Sequence, residues 1–212
     1  FTADSPGFRT AAEKLVAWNQ TGISDPAIWA NLPDGPNLAR DQFINGQVVF
    51  LYSGSFAVGG LASAIGDTFD WSAIPNPSGP GGSTGSPGGS LLVGFAGTEH
   101  PAEVAKLFDF LTQADVLGEF SVKSSFLPGH LGLAQQGLDF TANAEILNAL
   151  SAEIPKLDEQ AYRLQYSQYA FTYNRPIDNR LSQVIAGELT LDDAVAAIQK
   201  DVDDAIAATQ TQ

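Results

Sequence analysis

Apolar and polar positions alternate in period along this chain, and the changes in period mark its elements. Phe8, Ala11, Ala12, Leu15, Val16 and Trp18 recur at helical spacing. Asp4 or Ser5 is placed to cap that helix, Pro6 suits its first turn, and Gly22 suits its end. Trp18 reads as a core residue. The turn-rich "ISDPAIWANLPDGPN" follows, with Trp29 as a platform or a surface staple. "LARDQFINGQ" then reads as a short helix ending at Asn45-Gly46. "VVFLYS" is a run without polar breaks, the pattern of a strand buried on both faces. A helix is expected from Ser53 to Ile65, and "FDWSAIPNP" reads as a short strand entering a linker.

Residues 76–89 comprise six glycines, three prolines, three serines, one threonine and one asparagine. That composition predicts a loop. "SLLVGFAG" is the next buried strand. "PAEVAKLFDFLTQ" and "ADVLGEFSVKSS" read as consecutive helices, "FLPGHLGLAQQG" as loop, and "TANAEILNALSAEI" as helix. "RLQYSQYAFTYNRP" is aromatic and irregular. Two helices close the chain, separated by Gly187, the second capped by Thr190. Strands alternating with helices give an α/β fold, helix-rich with a small mixed sheet. Two or three strands fall short of a complete doubly wound sheet, so the chain reads as part of something larger. Phe1 opens directly onto a polar, helix-starting segment, which reads as a mature, trimmed or fragmentary chain.

Composition narrows the chemistry. Of 212 residues, 44% are hydrophobic and 16% charged, ample for a packed core. The net charge of −14 disfavours nucleic acid and anionic lipid, which require clustered Lys and Arg. The acidic C-terminal run (Asp192, Asp193, Asp201, Asp203, Asp204) reads as a solvated helix face. The absence of cysteine removes disulfides, thiolate catalysis and Cys-based zinc sites. No His pair or acidic cluster has metal-ligand spacing, and no dinucleotide or phosphate-loop motif occurs, so neither metal nor cofactor is expected. Gly81-Gly82-Ser83-Thr84-Gly85 matches a nucleophile-elbow pattern, but prolines flank it where a strand and a helix are needed, and no catalytic residue is assigned.

The order of pieces resembles the second half of the extracellular solute-binding proteins of bacterial sugar-type ABC transporters, the maltose and glycerol-phosphate group. "FTADSPGFRTAAEKLVAWNQTGI" resembles the helix ahead of the family's binding segment. "DQFINGQVVFLYSGSF" is similar to its F-x-x-G signature, with Phe56 where Trp is frequent. "FDWSAIPNPSGPGG" resembles its F-x-x-x-P-x-P strand. "GGSLLVGFAGTEHPAEVAKLFDFLTQ" looks like its glycine pair, returning strand and helix, and "IAGELTLDDAVAAIQKDV" resembles its terminal helix, with Asp193 in place of Glu. The resemblance implies one lobe of a two-lobed, type II periplasmic-binding-protein-like clamshell. Residues 1–87 and 134–212 would form the second lobe, and 88–133 would cross into the first. It also implies a sugar or oligosaccharide ligand in a cleft between lobes, permease subunits and a missing N-terminal half as partners, and a periplasmic or extracellular location, with a lipid anchor in a Gram-positive source.

Ligands in open α/β sheets bind beyond the carboxyl ends of strands. Ser53, Gly54 and Ser55 occupy such an end, where free amides and hydroxyls suit sugar hydroxyls and Phe56 suits stacking on a ring face. The same residues equally suit a plain turn with Phe56 in the core. Gly88, Gly89 and Ser90 permit close backbone approach or simply form a linker. Ser125 lies in the crossover loop or at a helix stop. Tyr169, Phe171, Tyr173, Asn174 and Arg175 combine stacking area with directed donors. They equally suit an interhelical seam, with Arg175 paired to Asp178. The competing functions are a carbohydrate-active enzyme or accessory binding module, which needs paired carboxylates across a cleft, and an interaction domain without a small ligand.

Overall fold

The computed structural model describes residues 2–30, 35–167 and 169–210, without the side chains of Phe171 and Gln210. Eleven α-helices occur among the described residues, and they fall into two compact units, Phe1–Leu51 with Tyr166–Gln212, and Tyr52–Gln165.

The first unit is built on α1 (Pro6–Gln20), α2 (Pro26–Ala30), α3 (Gly35–Ile44), α10 (Ala170–Ile185) and α11 (Leu191–Gln210). Ser5 starts α1 by accepting the Phe8 amide at 3.2 Å, with Pro6 in the first turn. Thr190 starts α11 reciprocally. Its hydroxyl accepts the Asp193 amide at 3.1 Å and donates to the Asp193 carboxylate at 2.7 Å, which orients the capping oxygen. Gly187, at φ 77°, allows the sharp turn between α10 and α11. Those two helices pack along most of their length over a core of Ala3, Ala170, Tyr173, Val195, Ile198 and Val202, flanked by Phe8, Ile177, Leu191 and Ile206. Arg180 clamps the pair, with its Nε 2.9 Å and its Nη2 2.8 Å from an Asp201 carboxylate oxygen.

The second unit holds α4 (Val58–Ile65), α5 (Pro101–Leu111), α6 (Ala114–Ser124), α7 (Leu131–Gln136), α8 (Ala144–Ser151) and α9 (Glu159–Gln165), with short 3-10 turns at Ser55–Ala57 and Ile154–Lys156. Val58, Leu61 and Ile65 place one apolar stripe of α4 inside. Val58, Phe140 and Leu147 form the core, flanked by Trp71, Val122, Leu127, Leu138 and Leu150, among others. The Pro/Gly/Ser tract is tied down. The Asn76 amide donates to Glu153 at 3.3 Å, the Ser83 hydroxyl donates to the Asn76 carbonyl at 3.1 Å, and the Asp158 amide donates to Thr84 Oγ1 at 2.9 Å. The Lys156 ammonium and the Asn76 amide hold the Glu153 carboxyl below its ordinary range against the opposing effect of burial. Its contribution to stability is therefore full at neutral pH and is lost as pH falls through that lowered value.

The helix-rich half of the α/β expectation holds, and the small mixed sheet does not appear. Among the described residues no segment forms a strand, and one isolated antiparallel bridge joins Gly79 and Gly82. The runs read as buried strands are open to solvent, with Val49 82%, Phe50 75%, Leu91 76% and Phe95 80% exposed. A strand exists by pairing its backbone with a neighbour, and neither run has one here. Trp18 is 49% exposed rather than core. The sequence reading missed α2 inside the turn-rich stretch, α7, α9 and the start of α10. Leu131–Gln136 is α7, begun by His130 Nδ1 accepting the Leu133 amide at 3.3 Å. The aromatic segment after Ser167 is the start of α10, which continues through Pro176.

Ser125 closes α6 in the left-handed region at φ 57°, with its amide bonded to the Ser121 carbonyl. That conformation costs a residue with a Cβ roughly 1–2 kcal/mol. Ser125→Gly should therefore raise the stability of the protein by about 1 kcal/mol, read as a rise in the urea midpoint.

Candidate functional site

The chain leaves α3 at Ile44, bends at Gln47 and Val49, and reaches Gly54, whose φ and ψ of −121° and 172° are extended. It then tightens into the 3-10 turn Ser55–Ala57, which passes directly into α4. The turn is closed by the Ala57 amide on the Gly54 carbonyl at 3.0 Å and the Val58 amide on the Ser55 carbonyl. The amides of Ser55 and Phe56 stand at the open end of the turn and have no partner among the described residues. No side chain caps this start.

Aromatic residues bound this segment in sequence. Phe56 is 73% exposed and Tyr52 is 76% exposed. The Phe56 ring lies back over Gly54, so a Cβ there would meet its Cε1 at 2.7 Å. Only glycine allows that approach with the ring in place. The alternative placing Phe56 in the core is thus excluded. Ser53 is exposed and Ser55 half-buried. The result is a short uncharged segment, Tyr52 to Phe56, with two hydroxyls, two unspent amides and two ring faces. Tyr52 was absorbed into the apolar run in the sequence reading. The signal that marks it is the spacing, two aromatics four residues apart around Ser-Gly-Ser.

Gly88, Gly89 and Ser90 are exposed in the same unit, with Gly89 at φ 139°. Ser125 is half-buried at its helix stop, also in this unit. The remaining candidates belong to the other unit. Tyr169 is half-buried at the start of α10, where its carbonyl accepts the Thr172 amide at 2.9 Å. Tyr173 is 5% exposed and lies in the α10–α11 core. Asn174 and Arg175 are exposed on the next turn. The Phe171 side chain lies outside the described residues.

Further along α10, an open groove of about 380 Å³ is lined by Asn179, Arg180, Gln183 and Asp201. Sequence reading did not single out these residues. Their helical spacing is regular, but their polarity alone matches any solvated face.

Residues 81–85 have neither a strand before them nor a helix after, and the Ser83 hydroxyl is occupied by the Asn76 carbonyl. Among the described residues no group of three His, Cys, Asp or Glu side chains is placed to hold a metal ion. No described helix is long and apolar enough to cross a membrane.

Neither the comparison with curated proteins nor that with solved structures returned a match. One family model matches, described as bacterial extracellular solute-binding protein, over residues 8–117. The matched span contains both the Tyr52–Phe56 turn and the Gly88–Ser90 segment. With more than half of its 212 residues inside that match, the chain belongs to the bacterial extracellular solute-binding protein family.

Proposed function

We propose that this protein is the solute-binding component of an ABC importer and that its solute is a sugar or oligosaccharide. The observation that carries the reading is the Tyr52–Phe56 segment, which holds unspent amides, serine hydroxyls and two exposed rings, one at each end in sequence. Sugars present hydroxyls at their edges and C–H groups on their faces. Amides and hydroxyls match the edges, and aromatic rings match the faces. Gly88, Gly89, Ser90 and Ser125 are the further candidate contacts in the same unit, and Tyr169, Phe171, Asn174 and Arg175 those on α10.

On this reading the whole protein is a two-lobed clamshell that closes over its solute by a hinge and delivers it to the permease subunits. Residues 88–133 cross into the first lobe, and 1–87 with 134–212 belong to the second. The runs Val48–Tyr52 and Leu91–Phe95 are then sheet strands paired in the complete protein, with the N-terminal half supplying partners. Exposure of consecutive side chains in each run supports this, because a strand with apolar residues on both faces is an interior strand. The protein acts outside the cell membrane or in the periplasm, held by a lipid anchor in a Gram-positive host.

The test is thermal unfolding of the full-length protein against a panel of sugars, amino acids and polyols, with product analysis. Saturable stabilisation by a sugar, about 2.7 kcal/mol at a hundred times Kd, without turnover is the expected result. Turnover of the sugar, or stabilisation by amino acids alone, would overturn the assignment.

A further inference from the structure

The charge inventory of this chain leaves three basic groups without a carboxylate among the described residues, Lys14, Lys106 and Arg175, and Arg175 is the one arginine among them. With 24 acidic and 10 basic residues, carboxylates are in excess, and basic side chains have many partners to choose from. Arg9, Arg40, Arg163 and Arg180 each hold at least one carboxylate, and Arg9 holds two. Arg175 holds none among the described residues, although it is exposed and Asp178 lies three residues along the same helix. Partial burial alone pushes the Asp178 carboxyl up from its ordinary value, without a contribution from Arg175.

The surroundings of Arg175 are equally specific. Asn179 and Gln183 follow it at i+4 and i+8, so the three side chains form one row along α10. That row runs into the open groove lined by Asn179, Arg180, Gln183 and Asp201. Within the groove the Arg180 guanidinium is neutralised by Asp201, and its Nη1 donates to Gln183 Oε1 at 2.9 Å. The groove therefore presents amides and a balanced ion pair, with Arg175 one turn before it and the Asp178 carboxylate beside it on α10. A guanidinium fork matches a carboxylate in two parallel hydrogen bonds, and amides match hydroxyls.

We propose that the α10 row Arg175–Asn179–Gln183 and the adjoining groove bind an acidic sugar residue, with Arg175 taking its carboxylate and the amides its hydroxyls. The carboxylate part of this assignment rests on Arg175. The carbohydrate part rests on the reading above.

The experiment is calorimetric titration of the full-length protein with glucuronate, galacturonate and mannuronate, each beside its neutral parent hexose. At least one uronate should bind tenfold or more tightly than its parent. Arg175→Gln should abolish that preference, Arg175→Lys should keep part of it, and Asn179→Asp, which adds a carboxylate to the row, should weaken the uronate more than its parent. Both positions are exposed, so neither change perturbs the core. Equal binding of uronates and parents, or a preference that survives Arg175→Gln, would overturn this inference and leave the sugar-binding reading intact. Absence of saturable binding by any sugar of either set would overturn both.

Discussion

Replacing Leu147 with alanine should destabilise the protein by about 3 kcal/mol, within the roughly 2–5 kcal/mol typical of buried Leu-to-Ala changes. Leu147 is fully buried and joins Val58 of α4 to Phe140 and the residues packed around them. It is the only buried side chain of α8, an eight-residue helix too short to stand alone in water. The change removes both the transfer free energy of the side chain and the contacts across the resulting void. With a urea dependence of about 1–3 kcal/mol/M, the midpoint should fall by about 1 M or more at unchanged slope. A loss below about 1 kcal/mol would show that the α4–α8 core does not hold this unit together.

Phe56→Ala should act in the opposite sense, on binding and not on stability. The ring is 73% exposed and lies over Gly54, so its removal leaves no void in a core. A ring that stacks on a sugar face contributes buried apolar area and a facial contact, and its loss should weaken the sugar about tenfold or more, about 1.4 kcal/mol per tenfold. Unchanged affinity with unchanged stability would remove Phe56 from the site. Lost affinity accompanied by a collapse in stability would make it a structural residue.

Local chemistry was legible wherever a helix end depends on its own neighbours. Ser5 with Pro6, and Thr190 with Asp193, mark the starts of α1 and α11 because the capping bonds span only three residues. Pairing between distant segments was not legible. Val48–Tyr52 and Leu91–Phe95 have the composition of buried strands, but burial is a property of what lies alongside, and here their side chains face solvent. Trp18 misled for the same reason. Its spacing fits the α1 stripe, but the ring stays half outside.

The start of α10 was obscured by Pro176 and a dense run of tyrosines. A helical row of apolar residues, Tyr173, Ile177, Leu181 and Val184, runs through the same segment and outweighs the one lost backbone bond. Of the candidate site, the small residues Ser53–Ser55 were legible by type. The unspent amides were not, because they follow from a turn that begins without a side-chain cap.

The most direct test of solute binding at this turn is hydrogen exchange of the Ser55 and Phe56 amides with and without saturating sugar. Both lack partners among the described residues, so they should exchange rapidly and slow by at least tenfold when a sugar oxygen accepts from them. Unchanged exchange at both amides while the sugar binds elsewhere would contradict the account.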